Sequence, residues 1–281
     1  RPAMLHGLQA GRRYVHGGLS QAWRQLGRPC APYQQGPMGA SRRPLCTQST
    51  PFAGIEYGIK PSQNARPPPY IGGEEEDSDL HFVFLEGATG VGKANVTWKL
   101  EKLGYKAHVE GFIGFCEKHA QYSPTSAVMA LKWSNRLLTV IEFAKEDAKN
   151  GLLKDGLVFF DRSFLSPVAY SRGLPVDGMM LEVMKEIRER NSASVVLCRS
   201  DPYAVTQRVS GRLFDAKNKE KEIREALGED SEAYRMEVAE RYDEMEKEGL
   251  FDAILDTSSS KLAVASLLHS LGVESSILEQ E

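Results

Sequence analysis

Residues 81–100, HFVFLEGATGVGKANVTWKL, place glycines and a lysine directly after a short apolar run. Gly87 to Lys93 has the spacing G-x-x-x-x-G-K, in which a glycine-rich turn presents backbone N–H groups to phosphates and the lysine reaches the β- and γ-phosphates. The N-terminus of the following helix also favours an anion. A turn that binds no ligand is the alternative interpretation. We predict a site for ATP or another (deoxy)nucleotide, formed by Gly87, Thr89, Gly90, Val91, Gly92, Lys93, Ala94 and Asn95.

Position 94 lacks the hydroxyl group that normally ligates Mg²⁺ in this motif. A serine or threonine usually follows the lysine, but this chain has Ala94. Thr97 lies a full helical turn beyond Lys93 and is not expected to substitute. The sequence therefore predicts a phosphate-binding loop in which Mg²⁺ binding is doubtful.

Polar residues follow two further candidate strands. Because ligands of open α/β sheets bind outside the carboxyl ends of the strands, Glu110 is placed to take a proton from a hydroxyl group or to orient a sugar. A solvated loop acid is the alternative. Asp161 ends another apolar run, where it is predicted to hold Mg²⁺ through water while Arg162 meets the acceptor.

Three arginines in candidate helices are further site residues. Arg136 is predicted to hold a substrate phosphate in a bidentate manner, with a surface arginine as the alternative. Arg208 and Arg212 lead into the charged stretch FDAKNKEKEIREALGED, which indicates a mobile lid or a solvated loop. The predicted catalytic residues are Lys93, Glu110, Asp161, Arg162, Arg208 and Arg212, and the predicted substrate-binding residues are Glu110, Arg136 and Arg162.

The elements that must position these residues alternate between strands and helices. Continuously apolar runs such as 157–160 indicate strands of a parallel sheet covered by helices on both faces. In the helix at 125–150, the predicted buried stripe is Val128, Leu131, Leu138 and Ile141. The candidate strands are 81–86, 106–109, 157–161, 194–199 and 252–256, and the candidate helices are 92–103, 125–150, 176–190, 202–211, 231–248 and 260–271. We predict a doubly wound, five-stranded parallel α/β domain at residues 81–272, with an arm at 1–80 and an acidic tail at 273–281.

In this order, the motifs resemble the nucleoside and nucleotide kinase branch of the P-loop proteins. LKWSNRL at 131–137 and DRSFLSPVAY at 161–170 are similar to thymidylate kinases, and this resemblance implies that Arg136 and Arg162 hold a nucleoside monophosphate. Asp161-Arg162-Ser163, with Glu110 at the place of a catalytic glutamate, is similar to deoxynucleoside kinases. EKLGYKAHVEGFI at 101–113 resembles the kinase-like accessory subunit of mitochondrial respiratory complex I, which keeps the fold as a structural component.

The departures from active kinases lie at positions that serve the chemistry. Ala94 and Asn95 replace a Ser/Thr pair, and Thr89 stands where thymidylate kinases have an aspartate. Gly111 replaces a proline and Ser163 a tyrosine. The resemblance therefore implies nucleotide binding more directly than it implies catalysis.

Composition and charge restrict the class of protein. The chain has 281 residues, of which 41% are hydrophobic, and no apolar run approaches the roughly 18–20 residues that span a bilayer. Cys30, Cys46, Cys116 and Cys198 show no metal-site spacing, which favours a reducing compartment. The net charge of −3 conceals an asymmetry, because residues 1–55 carry seven arginines and no lysine or acid.

The arm at residues 1–80 has the composition of a mitochondrial targeting segment, because its first 55 residues are arginine-rich and acid-free, and Arg42 and Arg43 lie near a candidate processing site. A disordered arm of another origin is the alternative. We expect a matrix-side mitochondrial protein whose arm contacts other subunits of an assembly. Arginines neutralise any phosphate backbone, so an arm bound to ribosomal RNA is a third, less favoured interpretation.

Two functions compete at this point. The first is a catalytically impaired, nucleotide-binding accessory subunit of a mitochondrial complex, with respiratory complex I as the best match. The second is an active mitochondrial thymidylate or deoxynucleoside kinase that transfers the γ-phosphate of ATP.

Overall fold

The computed structural model describes residues 59–61, 80–109, 111–170 and 173–273. The rest of the predicted arm, Glu110 and residues 274–281 lie outside the described residues. The strands are β1 (Ile59–Pro61), β2 (His81–Glu86), β3 (Lys106–His108), β4 (Leu157–Asp161), β5 (Ser192–Arg199) and β6 (Ala253–Asp256). The helices are α1 (Lys93–Lys102), α2 (Phe112–Lys118), α3 (Ala127–Lys149), α4 (Leu165–Tyr170), α5 (Asp177–Arg190), α6 (Pro202–Asp215), α7 (Asn218–Ala226), α8 (Glu232–Lys247) and α9 (Ser260–Ser270), with a short 3₁₀ turn at Lys154–Gly156.

The sheet has the order β1-β6-β5-β2-β4-β3, and β2 to β6 form its parallel part. The predicted doubly wound α/β sheet of five parallel strands is therefore confirmed. The sixth strand, β1, pairs antiparallel with β6 and lies within the predicted arm. Three residues are too few to show a strand period, which is why the sequence did not indicate it.

Central strand β2 is buried on both faces because helices cover the sheet from both sides. Phe82 and Phe84 pack into one cluster with side chains of α3, α4, α5 and α8. Val83 and Leu85 point to the other face and pack with α1 and α9. Strand order reverses at β2, which pairs with β4 on one side and β5 on the other, so its carboxyl end opens onto the crevice where ligands of such sheets bind.

All six predicted helices are present, with modest differences at their ends. Within the described residues, the sequence missed the short helices α2, α4 and α7, whose seven, six and nine residues carry little periodicity. Helix α7 occupies about half of the stretch 214–230 for which a lid or a loop was predicted.

The predicted stripe on α3 was wrong except for Ile141. Val128, Leu131 and Leu138 are between 37% and 42% exposed. The buried face consists of Met129, Ala130, Trp133, Ser134, Leu137, Ile141 and Ala144. Apolar residues recur on both faces of this helix, so the period alone could not decide which face meets the sheet.

Among the described helices, none has both the length and the apolar character that crossing a bilayer requires.

Candidate nucleotide-binding site

The loop between β2 and α1 has a backbone that only glycines adopt easily. Gly87, Gly90 and Gly92 have φ angles of 136°, 82° and 110°. A Cβ atom on Gly87 would lie 2.5 Å from the carbonyl oxygen of Cys198. Within the described part of the chain, the backbone N–H groups of residues 88–92 donate no hydrogen bond. The loop therefore fits a phosphate group, which accepts hydrogen bonds from such N–H groups.

Lys93 begins α1 and is folded back against the loop. Its Nζ donates to the carbonyl oxygens of Gly87 at 2.7 Å and Ala88 at 3.0 Å, and the residue is only 5% exposed. The N-cap of α1 is Gly92, and no side chain caps this helix. The lysine charge and the uncapped helix N-terminus thus lie together at the loop, and both favour an anion.

The residues present do not complete the usual Mg²⁺ site of this motif. Ala94 is exposed and has no ligating atom. Thr97 is fully buried, and its hydroxyl donates to the carbonyl oxygen of Lys93 at 3.0 Å. Asp161 is the remaining predicted ligand, buried at the end of β4. The hydroxyl ligand of the motif is therefore missing in the structure as well as in the sequence.

Asp161 and Arg162 lie beside the glycine loop, at the same edge of the sheet. The β2–β4 register pairs Leu85 with Asp161, so both strands end together. Arg162 has a φ angle of 83°, unusual for a residue other than glycine, and is 8% exposed. Its Nη1 donates to the Ser166 hydroxyl at 3.3 Å, and its guanidinium lies 4.9 Å from the ring centre of Tyr170.

A cavity opens next to Arg162. It is a cleft that is open to solvent and has mainly apolar walls. One cation and several aromatic rings are suited to a flat, anionic ligand. The lining of the cavity includes Phe112, Trp133, Arg162, Ser166, Tyr170 and Glu229.

Arg136 lies on α3 about one helical turn from Trp133, a residue that lines this cavity. It is exposed on α3, and its guanidinium stacks 5.2 Å from the Trp133 ring centre. It lines a second depression with His108 and Asp161, and burial followed by the charge of Lys106 lowers the pKa of His108 to about 4. Arg136 does not line the cavity beside Arg162, and the assignment of both arginines to one substrate stays a prediction.

The two arginines of α6 have different environments. Arg208 Nη1 donates to the carbonyl oxygens of Gly90 and Val91, both at 3.2 Å, so this residue braces the glycine loop. Arg212 is exposed, and its guanidinium makes no hydrogen bond or ion pair with any described residue. Glu110, the other predicted catalytic residue, lies outside the described residues.

Sequence reasoning missed two buried acids at the site. Glu86 directly precedes Gly87 and is fully buried. Glu229 is 7% exposed, accepts a hydrogen bond from the Thr89 hydroxyl at 3.1 Å and pairs with Arg224 at 2.7 Å. An acid ending an apolar strand was a readable signal for Glu86, whereas Glu229 sits in a run of charges that gives no such signal.

Comparison with known protein families identifies the family of this chain. A family model described as an AAA domain matches residues 82–246, more than half of the sequence. The chain belongs to the AAA domain family. This membership, together with the glycine loop, confirms the predicted P-loop superfamily. The AAA domain match begins in β2 and ends in α8, so it contains the glycine loop, Asp161, Arg162 and both arginines of α6.

Solved structures with a similar fold include deoxyadenosine kinase from M. mycoides. The form with bound dATP is 17% identical, with a TM-score of 0.42, and the form with bound dCTP is 17% identical, with a TM-score of 0.40. Each alignment covers 68% of this chain and 98% of the kinase chain. At this identity the likeness concerns the fold alone. No curated protein shows significant sequence similarity to the chain.

Proposed function

We propose that the chain binds a nucleoside di- or triphosphate in its glycine loop, as a kinase-fold protein with impaired phosphoryl transfer. The observation that carries this proposal is the loop itself. Its glycines hold conformations that side chains rarely adopt, and Lys93 is packed against it. Deoxynucleotide binding by the kinase of similar fold is consistent with the ligand class.

Impairment follows from the missing hydroxyl at position 94. Catalysis of phosphoryl transfer consists mainly of positioning and of charge neutralisation by lysine, arginine and metal. Lys93 and Arg162 are present at the site, but Ala94 supplies no ligand. Kinases typically turn over at about 1–100 s⁻¹, and we expect the rate with dTMP, thymidine or deoxyguanosine to be at least about a thousandfold lower.

Nucleotide binding is tested by calorimetry on the full chain with ATP, ADP and dATP. Lys93→Ala should remove most of the binding heat, because it deletes the cation at the phosphate cradle. Lys99→Ala, on the same helix but away from the loop, is the matched control and should bind like the wild type. Absence of heat and of any thermal shift in the wild type, across purine and pyrimidine nucleotides, would refute the proposal.

The second candidate is an active thymidylate or deoxynucleoside kinase, favoured by the cavity beside Arg162. Its aromatic walls and single arginine suit a nucleoside or its monophosphate. Wild-type turnover above about 1 s⁻¹ on any of the three acceptors would replace the first proposal with this one.

We further propose that the protein is an accessory subunit on the matrix side of a mitochondrial assembly, with respiratory complex I as the first choice. The arginine-rich, acid-free composition of residues 1–55 supports targeting to mitochondria and an arm that contacts other subunits. Deleting residues 1–55 leaves β1 in place and should leave the domain folded but detached. Co-purification of the shortened chain at unchanged stoichiometry would show that the arm is not the tether.

A further inference from the structure

Glu86 is a fully buried carboxylate at the junction of the glycine loop and the central strand. It is the last residue of β2 and directly precedes Gly87. A carboxylate removed from water is retained only when hydrogen bonds replace its hydration. The partners of Glu86 therefore show what the residue holds in place.

Among the described residues, the donors to the Glu86 carboxylate lie either just after β4, beside Arg162, or in α8. Oε1 accepts from the backbone N–H of Ser163 at 2.6 Å, from its hydroxyl at 2.6 Å and from the N–H of Ser166 at 3.1 Å. Oε2 accepts from the hydroxyls of Ser166 and Tyr242, both at 2.8 Å. Burial and then the Glu86 charge raise the pKa of Tyr242 well above its usual value, so its hydroxyl remains a donor.

These bonds enclose Arg162. Its own N–H donates to the carbonyl oxygen of Leu85 at 2.9 Å, and Leu85 precedes Glu86 in β2. The next residue, Ser163, is bound by the carboxylate. Ser166 donates its hydroxyl to Glu86 and accepts from the Arg162 guanidinium, which links the two charged groups. A residue other than glycine persists at a φ of 83° only where its surroundings fix it, and the end of β2 provides that fixation.

We propose that Glu86 is a positioning residue that holds Arg162 in its left-handed turn and thereby directs the guanidinium into the cavity. Because Glu86 also adjoins Gly87, one residue sets the distance between the phosphate loop and the acceptor arginine. The proposal rests on the proposed function in one respect, since it takes the cavity beside Arg162 as the acceptor site.

The experiment measures ADP and dTMP affinities by calorimetry, and thermal midpoints, in the full chain. Glu86→Ala should lower dTMP affinity about tenfold or more, the effect of misplacing one charge-assisted contact, and should change ADP affinity less than about threefold. Glu86→Gln should recover most of the loss, because its amide oxygen accepts from both N–H groups while the hydroxyls turn to accept from its NH₂. Tyr242→Phe removes one donor to Oε2 but leaves the bonds of the carboxylate to Ser163 and Ser166, so it is the control and should leave dTMP affinity within about threefold.

The decisive comparison uses an Arg162→Gly background. If Glu86 acts through Arg162, then Glu86→Ala should cause no further loss of dTMP affinity there. A further tenfold loss, or an equal loss of ADP and dTMP affinity, would overturn the inference. Should Glu86→Ala not fold, Ser166→Ala removes the shared hydroxyl and should lower dTMP affinity severalfold, whereas unchanged affinity would count against the inference.

The wild type could bind ADP but no dTMP, and that outcome would refute only the acceptor part of the proposed function. Midpoints of thermal unfolding would then still test whether Glu86 holds the turn. Glycine adopts the left-handed turn without strain. Arg162→Gly should therefore have a more favourable effect on the thermal midpoint of the wild type, where Glu86 enforces that turn, than in the Glu86→Ala background. Equal effects in the two backgrounds would show that Glu86 does not hold the turn.

Discussion

Gly87→Ala is the substitution for which the structure gives the sharpest quantitative expectation. The new methyl group would lie 2.5 Å from the carbonyl oxygen of Cys198 in β5, where ordinary contact begins near 3.4 Å. That oxygen belongs to the backbone of a strand paired on both sides, so it cannot turn away as a side chain could. Gly87 also has a φ of 136°, outside the regions open to alanine.

Two terms make up the expected loss of stability. The unfavourable φ costs roughly 1–2 kcal/mol, by analogy with left-handed residues. Displacing the β5 backbone adds about 1–3 kcal/mol, the usual range for overpacking. Together they predict a decrease of about 2–5 kcal/mol in the free energy of unfolding.

Two other glycines separate these terms. Gly104 has a φ of 86°, and its added Cβ would meet only Lys154 Cδ at 3.9 Å, so Gly104→Ala should cost about 1–2 kcal/mol from φ strain alone. Gly211 lies inside α6 with nothing within 4 Å, so Gly211→Ala should stabilise by about 0.5–1 kcal/mol. Urea unfolding followed by circular dichroism measures all three. The reasoning fails if Gly87→Ala is no more destabilising than Gly104→Ala.

Three further predictions concern pH, a buried ion pair and the metal position. Burial lowers the pKa of His81 from 6.5 to about 4. The free energy of unfolding should therefore decrease by up to about 3 kcal/mol as the pH falls from 6.5 toward 4. Urea unfolding at several pH values should show a smaller decrease for His81→Phe. Asp252 pairs with Arg188 in the interior and accepts from a β5 N–H, so Asp252→Ala should cost about 3–5 kcal/mol in urea unfolding and Asp252→Asn clearly less. Ala94→Ser should raise phosphoryl transfer in steady-state assays with Mg²⁺, and unchanged turnover would show that another defect limits the rate.

The sequence alone determined the glycine loop and the frame of the sheet. Gly87 to Lys93 carry their conformational preference locally, because only glycine adopts positive φ freely. Strands β2 and β4 are continuously apolar, since both of their faces are covered, and that pattern needs no knowledge of their neighbours. The missing hydroxyl at Ala94 was also visible from the sequence.

Only the tertiary structure decided which charged groups meet. Glu86 lies 77 positions from Ser163 and 156 from Tyr242, and no local pattern encodes such contacts. The same is true of Glu229 against Thr89, 140 positions away. Trp133 lines both the cavity beside Arg162 and the depression beside Arg136, and this arrangement depends on how α3 packs on the sheet. Residue type and spacing fix what a side chain can do, whereas the packing of helices on the sheet fixes which partner it reaches.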